Sequence, residues 1–345
     1  MNSAFSRLRR RDFLKLAAAG GLALSVPLVG SRLVLDIMDR RSPFSTSFNA
    51  IGTTVVITID DDIPIENANQ LVATVSNKIA GLGNILTRFQ GGNDLYSLNQ
   101  TESLTSPSQD LVTVLEQARS YSQSTSGCFD ITVEPVLNLL QNYLEGQPFP
   151  TDAQLNSALS LIDYEEVEVS SKLVALEEPG MGVTLDGIAT GYILDKSIEI
   201  LQSNGIKSAF INFGGTLATI GGRSDGSPWQ VGIVDPLNPV NTIGTLYLKD
   251  QAVATSGDYE DYYTPNKQYY HVIDPFTARS PLFSHSATVV SSTALMADPL
   301  GVALMVEDPN SAINLIDNFP AECLLYTSTN GITASSGMAQ LMTKS

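Results

Sequence analysis

The chain has 345 residues but only two cysteines and two histidines, and each scarcity excludes a class of chemistry. A disulfide scaffold needs more than Cys128 and Cys323. Those two lie far apart in sequence, which leaves both pairing and simple burial open. A zinc site of sulfur and nitrogen ligands is equally short of donors, so any metal is expected to be hard and oxygen-ligated, such as Mg²⁺. Positive charge is also scarce: 19 Lys and Arg stand against 36 Asp and Glu. With no basic stripe to neutralise phosphates, nucleic acid is not expected as a partner. The sequence contains no G-x-G-x-x-G after a strand, no G-x4-G-K-[ST] and no G-x-S-x-G, so Rossmann dinucleotide binding, P-loop chemistry and the hydrolase elbow find no support.

What charge there is falls unevenly. Residues 1–41 hold eight Arg or Lys and three Asp or Glu, which leaves 11 basic and 33 acidic residues, a net of −22, for the remainder. Arg9-Arg10-Arg11-Asp12-Phe13-Leu14-Lys15 precedes an apolar run from Leu16 to Gly30. This is the pattern of a twin-arginine export signal, which implies a periplasmic protein exported already folded. The run falls short of the roughly 20 residues of a comfortable span. Neither a clear Ala-x-Ala site nor a lipidation cysteine follows, so an uncleaved tether to the inner membrane stays open. Residues 1–41 are therefore expected to be signal and linker, and 42–345 a single functional domain.

Within that domain, Asn49 to Ile59 reads as one strand with a Gly-Thr-Thr bend, and Asn67 to Leu86 as an amphipathic helix. Further helices are expected at Leu111–Ser124, Asp152–Leu161, Ile188–Asn204 and Ser291–Val306. Gly127 to Asn138 reads as a strand or a helix entry. Strands are expected at Tyr164–Val169, Leu173–Leu176, Ala209–Phe213, near Thr219, and at Gln230–Val234 and Thr242–Leu248, with a further helix and strand closing the chain. Strand pairs mixed with helices, without a βαβ rhythm, indicate an α+β fold.

Two segments concentrate chemical groups. Thr255-Ser256-Gly257-Asp258-Tyr259 packs two hydroxyls, a glycine and a carboxylate into an expected turn, whose amides and Asp suit an anionic ligand with its cation. His271-Val272-Ile273-Asp274-Pro275 places a histidine at the end of an apolar run, although an Asp-Pro stop after a strand is also ordinary turn chemistry. In so acidic a body an anionic ligand needs a local device, either a cation or a nest of N–H groups.

Five segments, in order, resemble the ApbE family of flavin transferases: Phe48 to Thr54, Gly127 to Pro135, Thr184 to Asp195 continuing to Asn212-Phe213-Gly214-Gly215, the pair just described, and Ala297-Asp298-Pro299-Leu300-Gly301-Val302-Ala303-Leu304. The resemblance spans most of residues 45–335. It implies a single large ApbE-like, T-fold-like domain that uses FAD and Mg²⁺ to attach FMN to a Thr or Ser hydroxyl of a periplasmic or membrane redox protein, releasing AMP. It places Mg²⁺ on the Asp298 carboxylate and the Ala189 carbonyl, and makes His271 the residue that assists the acceptor hydroxyl. Asp298 and His271 are thus the expected catalytic pair. Thr184, Gly187, Ala189, Tyr192, Gly214, Gly215, Thr255, Ser256, Gly257, Asp258 and His271 are the expected FAD-binding set. Taken alone, Asp298 also reads as a helix N-cap, Gly214-Gly215 as a plain turn, and Tyr192 and Phe213 as core aromatics. His285 matches no family motif and reads as structural.

The chain departs from the family pattern at Thr184 and Thr216, where Asp is usual, at Thr190, where Lys is common, and at Val302, where a hydroxyl residue is usual. Val302 removes an oxygen from the implied metal shell, and Pro299 is expected to alter the helix start beside Asp298. Besides transfer, two readings stay open: an FAD-binding paralogue serving as flavin carrier or partner, and an FAD pyrophosphatase with water as acceptor.

Overall fold

The computed structural model describes residues 43–259 and 261–343. The expected export signal lies outside the described residues. Within them, no helix is long and apolar enough to cross a membrane.

The chain opens with β1 (Phe44–Ala50) and β2 (Thr53–Ile59), an antiparallel hairpin where the sequence suggests one bent strand. The hairpin forms because Ile51 and Gly52 both take positive φ, 49° and 76°, the backbone of a tight two-residue turn. Ile51 is a β-branched residue in a conformation that L-residues resist. Its side chain sits where Gly83 leaves room, since a Cβ on Gly83 would come 2.5 Å from Ile51 Cδ1.

Gly83 belongs to α1 (Ile65–Leu86), which buries Val75, Ile79, Leu82 and Leu86 at helical spacing. α2 (Asp94–Thr101), not anticipated from the sequence, is capped by the Asn93 side chain, which accepts the Tyr96 amide at 2.7 Å. Next come β3 (Ser103–Thr105) and α3 (Gln109–Ser124). The Gly127–Asn138 stretch resolves as a helix entry: a 3₁₀ turn at Ile131–Val133 leads into α4 (Glu134–Leu144). α5 (Asp152–Leu159) carries a capping box of Thr151 and Gln154. β4 (Val167–Val169) and β5 (Leu173–Leu176) join β3 in a small sheet ordered β3-β5-β4.

α6 (Ala189–Ser203) then leads to β6 (Ala209–Phe213) and β7 (Thr216–Ile220). β8 (Trp229–Val234) and β9 (Thr242–Leu248) form a separate hairpin. β10 (Ala252–Gly257), β11 (Ser284–Ser291), α7 (Ala294–Val306), α8 (Ala312–Ile316), β12 (Ala321–Thr327), β13 (Gly331–Ala334) and α9 (Met338–Leu341) complete the described chain.

Eight strands make one fully antiparallel sheet in the order β1-β2-β6-β7-β10-β11-β12-β13. The fold is α+β, as the strand pairing suggests. α6 packs between α1 and α7 and against β7, and α7 packs against β10 and β11. A second apolar cluster of Leu217, Ile233, Leu246, Leu248, Val253, Val290, Leu324 and Met338 joins the β8–β9 hairpin and α9 to the central strands. A third, from α4, α5, Tyr269, Ile273 and Ala278, anchors the loop that carries His271. Cys128 and Cys323 are both buried and free.

Candidate active site

The site is built where α6 meets α7. Gly191 has no room for a side chain, because a Cβ there would lie 2.3 Å from the Ala294 carbonyl oxygen. That close approach lets two carboxylates cross between the helices. Asp195 of α6 accepts the Ala294 and Leu295 amides at 2.8 and 2.9 Å, capping a helix whose own N-cap residue, Thr293, makes no side-chain cap. In return, Asp298 of α7 accepts the Gly191 amide, in the first turn of α6, at 3.1 Å. Asp298 is therefore not an N-cap of its own helix; it lies in the second turn. The helix begins before it and continues through Pro299, so the expected disturbance at the helix start falls further along, inside α7.

Asp298 is buried, and among the described residues no Lys, Arg or His forms an ion pair with it. Burial, with the fields of Asp186 and Asp195, pushes its pKa up to about 6, against the lowering effect of the Gly191 bond. Burial likewise raises Asp195 to about 6. Val302 stands one turn beyond Asp298 and faces the preceding loop: its Cγ2 lies 2.8 Å from where a Gly187 Cβ would be. Gly187 holds φ +85°, and Phe129 Cε2 lies 3.6 Å from the same position. Ala189 begins α6, partly exposed. Thr184 is buried; its amide donates to the Ile131 carbonyl at 2.8 Å and its hydroxyl accepts the Asp186 amide at 3.1 Å. Thr184 thus pins the 184–191 loop to the Gly127–Pro135 segment.

The Thr255–Asp258 segment is less of a turn than its composition suggests. Thr255, Ser256 and Gly257 are the last residues of β10, paired with Thr288, Ala287 and Ser286 of β11, and only Asp258 and Tyr259 turn. Strand alternation sends the two hydroxyls to opposite faces. Ser256 faces α7, its Oγ 3.1 Å from a Cβ built on Gly301, whereas Thr255 Oγ1 pairs with Thr288 Oγ1 at 2.9 Å. Gly257 is covered by the Tyr259 ring, which would lie 2.3 Å from a Cβ. Opposite Gly257, the buried Ser286 hydroxyl has no hydrogen-bond partner among the described residues.

His271 is exposed and lies in irregular backbone rather than at a strand end, edge-on to Tyr270 with centroids 6.0 Å apart. Its neighbours Tyr270, Val272 and Ile273 are buried. Asp274 builds the turn that follows, accepting the Phe276 amide at 2.8 Å and the Thr277 hydroxyl at 2.9 Å. Tyr270, the residue before His271, is held well above the usual phenol range by burial and by the Asp258 charge.

Other expected contacts lie elsewhere. Tyr192 is one position from Gly191 and so turns about 100° away from α7. Its hydroxyl donates to Asp110 of α3 at 2.6 Å, beside Lys78 and Lys196, in a surface groove that contains none of the other expected ligand residues. Phe213 is buried core. Gly214 and Gly215 form the two-residue β6–β7 turn, with φ +63° and +103°. Both are exposed, and Gly214 lies against Thr53 of the β1–β2 hairpin.

Three supporting groups were invisible to sequence reasoning, each having at least one partner distant along the chain. Asp130 accepts the Thr132 amide and hydroxyl at 2.8 and 2.6 Å and the Tyr164 amide at 3.3 Å; burial raises it to about 6 despite these bonds. Arg88, nearly buried, reaches Asp186 at 3.4 Å and Asn138 at 3.2 Å, and Asn138 donates to the buried Glu134 at 2.6 Å. His285, read as structural, contacts Asp258 at 2.7 Å.

An antiparallel α+β domain here sets a buried carboxylate, with no ion-pair partner among the described residues, against the glycine-containing start of a helix. The ApbE family profile matches residues 51–325. The FAD:protein FMN transferase of Vibrio cholerae is 28% identical over 287 residues, covering 80% of this chain and 86% of that protein. Its Escherichia coli counterpart is 27% identical over 267 residues, covering 74% and 76%. Among solved structures, an ApbE protein of Thermotoga maritima aligns with a TM-score of 0.81 at 25% identity, over 88% of this chain and all of that one. The flavin transferase ApbE from Vibrio cholerae aligns with a TM-score of 0.77 at 26% identity, over 87% and 99%. The chain belongs to the ApbE family.

Proposed function

We propose that this chain is an FAD:protein FMN transferase, using FAD as donor and a Thr or Ser hydroxyl of an exported or membrane redox protein as acceptor. The observation that carries this reading is the buried Asp298 carboxylate held by the Gly191 amide, on a helix whose Val302 meets Gly187 and whose Gly301 meets Ser256, within a chain of this family.

The acceptor oxygen bonds to the flavin-side phosphorus while the phosphoanhydride bond breaks and AMP leaves with the electron pair. Burial around Asp298 excludes water and so strengthens the attraction of its negative charge for a cation. The Gly191 amide holds the carboxylate in one orientation. His271 is exposed, which supports its role as the group that would take the hydroxyl proton from an incoming protein chain.

The residues fit a hard divalent cation. Asp298 is an oxygen donor bearing unneutralised charge, and Mg²⁺ is commonly bound by one or two carboxylates plus substrate phosphates and water. Asp298, with the Ala189 carbonyl, would hold it. A cation held there would supply charge neutralisation at the phosphate oxygens.

Val302 favours a second reading, an FAD-binding paralogue that transfers poorly, because an apolar side chain stands one turn from Asp298 on the face that meets Gly187. Assay of the chain with FAD, Mg²⁺ and a flavin-acceptor domain separates the two: covalent FMN on the acceptor supports transfer, and tight FAD binding without adduct supports the carrier.

The N-terminal twin-arginine pattern supports a periplasmic location. Fusing residues 1–41 to a folded reporter tests it, through export that depends on Arg9 to Arg11.

A further inference from the structure

We infer that His285 is a positioning residue for the ligand site, fixing the Asp258 carboxylate that the Gly257–Tyr259 turn presents; this rests on the FAD-binding reading above. The backbone supplies the first observation. On β11, Ser284 pairs with Thr327 and Ser286 with Tyr326, so two steps on one strand match one on the other, and His285 is the extra residue of a β-bulge. Bulges interrupt strand alternation and re-aim a side chain. The side chain supplies the second: the His285 ring contacts Asp258 Oδ2 through Nδ1 at 2.7 Å. Both side chains are about one-quarter exposed, so the pair is neither sealed in the core nor loose on the surface.

Two further contacts fix this geometry. The Asp258 amide donates to the His285 carbonyl at 2.9 Å, so backbone and side chain join the same two residues. Tyr326 stands edge-on to the imidazole, with centroids 5.8 Å apart. With Oδ2 engaged, Oδ1 has no partner among the described residues. It is left to accept a donor from the ligand, such as a polyol hydroxyl or an amine, both of which FAD carries. The imidazole itself touches no reacting atom; it acts through Asp258.

The test is a double-mutant cycle on the full chain, reading FAD affinity by flavin fluorescence and transfer by KM and kcat. His285→Ala is expected to weaken FAD binding and raise KM about tenfold, the scale of a lost hydrogen bond to a charged group, with a smaller change in kcat. Asp258→Ala is expected to do the same, and the double variant to be no worse than Asp258→Ala alone. His285→Gln, which keeps an N–H donor, should recover most of the loss. If His285→Ala does not fold, the same comparison is made with His285→Gln and Asp258→Asn. The inference is overturned if His285 variants that fold bind FAD like the parent, or if the two substitutions are additive. A parent chain that binds no FAD overturns the functional reading and this inference together, whereas a parent that transfers FMN with uncoupled variants overturns only this one.

Discussion

The Asp298 carboxylate accepts the Gly191 amide at 3.1 Å, across a helix contact so tight that only glycine fits at position 191. The residue expected to carry the charge chemistry and the residue that allows the helices to meet are thus one unit. Asp195 closes the unit from the other side by capping α7.

Gly191→Ala drives a methyl into the Ala294 backbone, which cannot move aside as a flexible side chain would. The expected cost is about 3 kcal/mol, the upper end of overpacking penalties. Urea unfolding measures it, and FAD affinity should fall in parallel as Asp298 is displaced.

Asp298→Asn preserves an oxygen acceptor for the Gly191 amide but removes the buried charge. Stability is expected to hold or rise, since a desolvated carboxylate without a cation is costly. Transfer is expected to fall about 100-fold or more. An Asn variant that transfers normally would remove Asp298 from the mechanism.

Val302→Thr is nearly isosteric and places a hydroxyl on the side-chain branch that faces Gly187. If the site binds Mg²⁺ through Asp298, the concentration giving half-maximal transfer should drop several-fold. A large gain in kcat would show that the natural chain has drifted toward binding.

Asp130 gives a pH signature. Burial raises its folded pKa to about 6, above the roughly 3.9 of an unfolded Asp, so the folded protein holds this proton in a window where the unfolded chain has lost it. Its contribution to stability is therefore fully present below about pH 3.9 and is lost as pH rises through about 6. Between pH 4 and 7, the stability of Asp130→Asn should fall less steeply than that of the parent. Parallel slopes would show that Asp130 does not titrate in this window.

Much of the fold was legible in the sequence because its signals are local. α6 ends where apolar spacing gives way to Gly205, and β5, β6 and β9 match runs bounded by turn residues. The β1–β2 hairpin was misread because Ile51 adopts a backbone conformation that its side chain disfavours, and the reason, the gap at Gly83, lies 32 residues away. Within the site, family-like segments pointed to Asp298 and Gly187. Composition could not show that Thr255 and Ser256 face opposite ways, which follows from the β10–β11 ladder. Nor could it show that Tyr192 turns to Asp110, or that a bulge aims His285 at Asp258.

The most direct measurement is mass spectrometry of a flavin-acceptor domain after incubation with this chain, FAD and Mg²⁺. Transfer through the Asp298 site is expected to leave one FMN on a Thr or Ser of the acceptor, with AMP released and the adduct lost on chelation or in Asp298→Asn. FAD held tightly by the chain, with no mass added to the acceptor at any Mg²⁺ concentration, would contradict it.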